Sequence, residues 1–370
     1  MSRKEVEEKL VKLGKKVLSD IQNSKNPSID IPIRSLSNIV FDEKTKLLKL
    51  GDKVAKRYFF NVAQAKSFMQ TLLVAAFCRN IVKENIHTSI RDMYYNLKRT
   101  LPDSDENTFD EQSESDPLIV DLETSLNVLR EQLHLIADRK GVVAGNVVIE
   151  DRGDEIDWSK LGSGGWSIPS AVEDIQFKKV KADFALVIEK NAGFERLHED
   201  KFWKKYNCIL IGTGGQPARG TRRLIKRLAI EHELPIYVMT DSDSYGWYIY
   251  SVIKSGSMAL AHASDELGTP SVRFIGLTIS DIENYKLEKS TIKATEQDLK
   301  RAKELLEYPW MNHKEWKREI KLMLQKKIKA EIEALSARGL KFLSETYLPE
   351  KLEKKRFLTL KTKFYLISEC

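Results

Sequence analysis

Two groups of residues in this chain have types and spacings suited to chemistry on phosphate esters. The first is a tyrosine pair, Tyr94 and Tyr95, in the run HTSIRDMYYNLK. Arg91 lies four residues before Tyr95 and three before Tyr94, so on a helix one guanidinium can reach either phenol. A free tyrosine has a pKa of about 10 and is a poor nucleophile at neutral pH. A neighbouring cation, with a metal that stabilises the leaving oxygen and the pentavalent phosphorus, would remedy that. Taken alone, a Tyr-Tyr pair reads as core packing, and the spacing does not choose between Tyr94 and Tyr95.

The second group is acidic. Glu189 ends the run ADFALVIE, and Asp241 with Asp243 ends the run IYVMTDSD. Acids directly after apolar strands are costly to bury unless a cation or hydrogen bonds compensate them, and hard oxygen ligands of this kind suit magnesium. Asp241 and Asp243 can share one face if the chain stays extended between them. The plainer reading of an Asp-x-Asp is that Asp243 caps the next helix and Asp241 sits in a turn. Glu189, at the end of an earlier strand of the same unit, shifts the balance towards a metal site. A third run, IGTGGQPARGTRRLIKRL, has Pro217 where the third glycine of a dinucleotide fingerprint would fall, and no Gly-Lys-Ser/Thr for a P-loop. Its glycine turn leads into a basic helix whose Arg219, Arg222 and Arg223 suit contact with a phosphate backbone. A solvated basic helix face is the alternative.

The elements that must position these groups follow from periodicity. Residues 1–60 read as an accessory arm, a helix followed by short strands at 29–33, 39–41 and 47–50. Residues 61–155 form the tyrosine domain. Its first helix starts behind Asn61 and is striped by Val62, Ala65, Phe68, Leu72 and Ala76. A second helix spans 89–98, with Ser89 and Asp92 spaced as a capping box. The acidic stretch 102–117 reads as a mobile surface loop. A third helix is striped by Ile119, Leu122, Leu126, Leu129, Leu133 and Ile136, and residues 141–149 have the alternation and central Gly-Asn of a β-hairpin. Three helices and a hairpin are the order of a winged helix-turn-helix, with a generic small helical domain as the alternative. Residues 156–175, with the Gly162–Gly165 turn, read as a linker. In 176–285, strand-like runs at 182–188, 208–212 and 236–240 alternate with helices, the pattern of a parallel sheet covered by helices. Residues 286–370 are a helical extension, with Thr295 and Asp298 capping one helix and a stripe of Trp316, Ile320, Leu324, Ile328, Ile332 and Leu335 on a longer one. The fold class is therefore multi-domain α/β: a winged-helix tyrosine domain followed by an α/β domain with a parallel sheet.

The 370 residues are 42% hydrophobic, enough to fill a core in each of several domains. Against 54 Asp+Glu stand 61 Lys+Arg, a net charge of +7 that is compatible with a polyanionic partner. Cys78, Cys208 and Cys370 are far apart and form no Cys-x-x-Cys, so neither a disulfide framework nor a zinc site is indicated. The six histidines contain no His-Glu-x-x-His. The charged amphipathic N-terminus lacks the apolar run of a signal peptide, and no apolar stretch is long enough to cross a bilayer. A cytoplasmic, reducing environment with no membrane partner is the expectation. The Lys- and Glu-rich composition hints at a thermophile.

Glu189 after one strand and Asp-x-Asp-x-x-Gly after a later one resemble the toprim fold of topoisomerases, primases and some nucleases. In type IA and type IIA topoisomerases the toprim unit precedes the tyrosine domain, whereas here the tyrosine comes first, in an Arg-Asp-x-Tyr-Tyr run. That order resembles the type IIB family of DNA-cleaving proteins, which holds the A subunit of topoisomerase VI and the meiotic double-strand-break transesterase. The resemblance runs from the strands near Ile31 to the helices near Tyr347. It implies Tyr95, the second tyrosine, as nucleophile, Arg91 as its assisting cation, and Glu189, Asp241 and Asp243 as ligands of Mg2+. It further implies transesterification on double-stranded DNA through 5′-phosphotyrosyl links, in a homodimer whose tyrosines each work with the other protomer's metal site. No ATP-binding motif is visible, so strand passage requires a GHKL-type ATPase as the second kind of chain in an A2B2 heterotetramer, associated with the nucleoid. The alternatives are a meiotic-type transesterase, and a DNA-binding subunit that does not cleave.

Overall fold

Why the chain builds two compact units is visible in how its apolar residues segregate. The computed structural model describes residues 1–354. Cys370 and the last part of the expected helical extension, 355–370, lie outside the described residues. One compact unit comprises Met1–Asp42, Leu48–Asp138 and Ser257–Asp265; the other comprises Glu43–Leu47, Arg139–Gly256 and the chain from Glu266 onward.

The first unit is mainly helical. Arg3–Gln22 opens with a reciprocal capping box between Ser2 and Glu5. Val62–Glu84 is capped by the Asn61 side chain and stopped by Asn85 in the left-handed conformation, φ 58°. Ile90–Leu97 carries the tyrosines and Ser115–Leu126 packs beneath it. Val6, Leu10, Val74, Cys78, Met93, Tyr94, Phe109, Ile119, Leu122 and Leu133 form their common core. Helix Arg3–Gln22 is therefore part of this core, through Val6 and Leu10, and not of an appended arm. Strand Ser28–Pro32 pairs antiparallel with Val54–Tyr58, and Arg34 and Arg57 both close on the buried Asp121 of helix Ser115–Leu126.

Two expectations for this unit are corrected. The third helix ends at Leu126, because Asn127 turns left-handed (φ 48°) and the chain continues as a 3-10 turn, Arg130–Leu133, and a short strand, Leu135–Ile136. The acidic stretch is no mobile loop: Phe109 is fully buried, and Thr108 ties it to the tyrosine helix through its hydroxyl, donating to Leu97 O at 2.6 Å and accepting from Arg99 N at 3.0 Å.

The second unit is built on a six-stranded sheet in the order Trp166–Ser167, Val142–Ala144, Cys208–Gly212, Phe184–Ile188, Ile236–Met239, Arg273–Gly276. The last four run parallel. All residues of Phe184–Ile188, Cys208–Gly212 and Ile236–Met239 are buried, as continuous apolar strands covered on both faces must be. The chain leaves Phe184–Ile188 to form Cys208–Gly212 on one side and later Ile236–Met239 on the other. That reversal makes a crevice at the carboxyl ends of these strands.

The residues expected to form a β-hairpin at 141–149 do not pair with each other. Val142–Ala144 runs antiparallel to Cys208–Gly212 within the large sheet, whereas Val147–Asp151 joins a three-stranded antiparallel sheet with Asp154–Asp157 and Gln176–Val180. The expected linker at 156–175 is folded as well, for Trp158, Trp166, Ile168, Val172 and Ile175 are buried in the unit's core. Its glycine turn serves packing: at Gly165, φ 61°, a Cβ would stand 2.7 Å from Val142. The expected long C-terminal helix is also shorter. Lys314–Lys326 stops where Lys327 turns left-handed, and Ile328–Lys329 then pairs with Ile292–Lys293. Among the described residues no helix is long and apolar enough to cross a membrane.

Candidate active site

Helix Ile90–Leu97 presents the tyrosines. Ser89 caps it, its hydroxyl accepting from Asp92 N at 3.0 Å and donating to the Asp92 carboxylate at 2.8 Å. Adjacent helical residues point about 100° apart, and here that angle separates two fates. Tyr94 is 6% exposed; its hydroxyl donates to Asp110 O at 3.1 Å and accepts from Lys98 Nζ at 3.1 Å. Tyr95 is 59% exposed, with the Arg91 guanidinium 5.9 Å from its ring centroid. A hydrogen bond with the Tyr95 side chain holds Arg91 above its ordinary pKa. Tyr94 is thus engaged in the fold, while Tyr95 stands in solvent beside a cation.

The acids lie in the second unit, at the carboxyl ends of adjacent strands. Ile188 is in register with Met239, so Glu189 and the loop beginning at Thr240 emerge side by side. Glu189 accepts a hydrogen bond from Asp241 N at 3.2 Å. Asp241 Oδ1 accepts from Ile332 N at 2.9 Å, and its Oδ2 lies 3.3 Å from Lys190 Nζ. Asp243 caps helix Ser244–Ser255, accepting from Gly246 N at 2.7 Å, which is the plainer of the two roles its position allows. Gly246 is required there, since a Cβ would stand 2.4 Å from Asp241 O.

Burial pushes Glu189 up to about 7, with repulsion from Asp241 and then Asp243 adding to it. Burial likewise raises Asp241 to about 6, against the Ile332 N–H and Lys190, and raises Asp243 against the Gly246 N–H. The three acids therefore share one electrostatic field in which ionisation is disfavoured and a cation would be welcome. Among the described residues no three His, Cys, Asp or Glu side chains are already set as a metal cage. A donor set of three carboxylates suits magnesium, which keeps several waters and takes few protein ligands.

Sequence reasoning missed Lys190, which also contacts Glu331 at 3.2 Å. It missed too the segment that passes over the acids, where Ser242 and Ala330 exchange backbone hydrogen bonds at 2.8 and 3.2 Å. A lysine next to Glu189 at a strand end was a readable signal. The N–H of Ile332 was not.

The arginines of the basic helix are less exposed than a phosphate-contacting face suggests. Arg222 is 2% exposed, its Nε donates to Leu267 O at 3.2 Å, and burial pulls its pKa down to about 9. Arg219 is 9% exposed, and Arg223 Nε lies 2.6 Å from the Glu173 carboxylate. Arg222 and Arg223 thus tie helix Arg219–Glu231 to its own unit, and Arg219 is largely covered. Composition marks charge but not which way it points.

Similarity to known proteins covers the same regions. Residues 66–135 match the family described as "Type IIB DNA topoisomerase" and residues 140–181 the "All-beta domain in DNA topoisomerase VI alpha subunit". Residues 184–352 match the Toprim domain family of Spo11 and the topoisomerase 6 A subunit. The chain is 48% identical to the A subunit of type 2 DNA topoisomerase 6 from Pyrococcus abyssi, over 95% of this chain and 94% of that one. It is 41% identical to the protein of the same name from Sulfurisphaera tokodaii, covering 96% and 97% of the two chains. With the one from Methanocaldococcus jannaschii the identity is 39%, over 95% of each.

Proposed function

Because this chain belongs to the family of type 2 DNA topoisomerase 6 A subunits, we propose that Tyr95 is the nucleophile with which it opens DNA, and that Glu189, Asp241 and Asp243 hold the magnesium it needs. The chain is the DNA-cleaving subunit of a type IIB topoisomerase, an isomerase whose ATPase resides in a separate chain. The observation that carries the assignment is the contrast within the pair: Tyr94 is buried with its hydroxyl bonded, and Tyr95 is exposed beside Arg91.

In the reaction, the Tyr95 hydroxyl oxygen attacks a backbone phosphorus of double-stranded DNA. The bond from phosphorus to the 3′-oxygen breaks, the 3′-hydroxyl departs with a proton, and a 5′-phosphotyrosyl link remains. One phosphodiester replaces another, so resealing is the same step reversed and needs no outside energy. Arg91 lies where it can balance the charge that develops on the phenol oxygen as it loses its proton. Lys190 and the Ile332 N–H hold Asp241 in place. A bound magnesium ion would supply Lewis-acid stabilisation of the phosphate oxygens and the leaving 3′-oxygen.

Cutting both strands requires two tyrosines, hence a homodimer, with each tyrosine working at the partner protomer's acids. A GHKL-type ATPase chain would complete an A2B2 assembly and couple ATP to strand passage. Trapping covalent protein–DNA adducts tests the nucleophile. Tyr95→Phe should form none while binding DNA as before, and Tyr94→Phe should still form them. Adducts that persist in Tyr95→Phe and vanish in Tyr94→Phe would reverse the assignment.

A further inference from the structure

Lys98 follows the tyrosine helix directly and is exposed. Its Nζ donates to Tyr94 Oη at 3.1 Å and to Asp110 O at 3.0 Å, both uncharged acceptors. The Asp110 carboxylate acts on it through space but is directly paired with Lys66. Arg91, on the other side of Tyr95, contacts the phenol and likewise forms no ion pair among the described residues. Two cations with no direct ion pair among the described residues therefore lie beside the exposed tyrosine, with Asp110 acting on Lys98, and Asp138 and Asp92 on Arg91, only through space. The arginines of helix Arg219–Glu231, by contrast, are buried or held by an acid.

The position of Lys98 is fixed by the acidic stretch. Phe109 is buried in the core with its ring edge-on to Tyr94, centroids 6.3 Å apart, and Gln70 Nε2 donates to Thr108 O at 2.8 Å. These contacts hold Asp110 O where it receives both the Tyr94 hydroxyl and the Lys98 ammonium. Surface cations with no direct ion pair, beside a phosphate-attacking group, are suited to phosphate, which accepts charge-assisted hydrogen bonds in water-accessible sites.

We propose that Lys98 and Arg91 form a binding site for DNA backbone phosphates flanking Tyr95, with Lys98 oriented by the Tyr94 hydroxyl and the Asp110 carbonyl. The proposal rests on the reading of Tyr95 as the nucleophile. It also gives the acidic stretch a role, which is to hold a lysine in place through uncharged acceptors and not through a direct ion pair. Lys98 contacts the backbone rather than base edges, so its contribution is independent of sequence.

Salt dependence of DNA binding tests this in the full-length chain carrying Tyr95→Phe, which separates binding from cleavage. Adding Lys98→Met should lower affinity on unrelated duplexes alike and reduce the slope of log K against log salt by about one. Lys98→Arg should restore the slope. A Lys98→Met protein with the slope unchanged, whether or not its affinity falls, overturns the phosphate contact. If Lys98→Met instead unfolds, the same reading is taken from Lys98→Gln. Failure of the parent reading would look different: Tyr95→Phe alone would still form covalent adducts, whatever the slope.

Discussion

The two tyrosines differ in what their hydroxyls do for the fold, and stability measurements should separate them independently of activity. Tyr94→Phe removes two hydrogen bonds at a buried site and should cost about 1–2 kcal/mol. Tyr95→Phe, at an exposed position, should change stability by less than about 0.5 kcal/mol; equal losses in denaturant unfolding would contradict the division of roles. The acids make a prediction of opposite sense. Glu189 is raised from 4.5 to about 7 in the folded chain, so between those values the folded state binds more protons than the unfolded one. Stability contributed by this site therefore falls as pH rises through that window and stays low above it. Without divalent metal, Glu189→Gln should melt higher than the parent above about pH 7 and lose that advantage towards pH 4.5. Magnesium should raise the Tm of the parent more at high pH than at low, and the Tm of Glu189→Gln less at either. A parent melting curve indifferent to magnesium at high pH would remove the metal-binding role.

At the scale of elements, the N-terminal strands are tied to the tyrosine unit by one acid. Asp121 is 5% exposed and accepts from both Arg34 and Arg57. Asp121→Ala would leave two partly buried cations without their carboxylate and should destabilise by about 3 kcal/mol, measured by thermal unfolding; a shift within error would mean these strands are held by their other contacts. The elements that the sequence made legible are those whose local pattern is sufficient. Phe184–Ile188, Cys208–Gly212 and Ile236–Met239 are short continuous apolar runs, and the acids that end two of them stand at the switch point of the sheet. The pattern failed where partner choice is global. Residues 141–149 alternate as a hairpin would, yet period-two alternation does not say which strand lies alongside, and the two halves go to different sheets. The stripe from Trp316 to Leu335 continues past Lys326 although the helix does not, because periodicity carries no mark of the left-handed turn at Lys327. Arg222 looked like a DNA contact because charge was counted and burial could not be. The Ile332 N–H reaches Asp241 across 91 residues of sequence, and no local signal encodes that.

At the scale of the whole molecule, the proposed assembly is what would carry cleavage of both strands and couple it to ATP. The chain with its ATPase partner should relax supercoiled DNA only when ATP is present, whereas a meiotic-type transesterase would cleave without such turnover. Mixed dimers probe the sharing of sites. When Tyr95→Phe and Glu189→Ala chains are combined, a tyrosine that works at the partner's acids leaves one intact site, and the mixed dimer should nick a single strand. Tyrosines that work at their own chain's acids leave none, and no nicking should appear. The most direct measurement takes the full complex, traps it on DNA with magnesium, digests both polymers and finds the residue that carries the nucleotide by mass spectrometry. A nucleotide 5′-phosphate on Tyr95 is expected; the same mass on Tyr94, or on any other side chain, would contradict the assignment of the nucleophile.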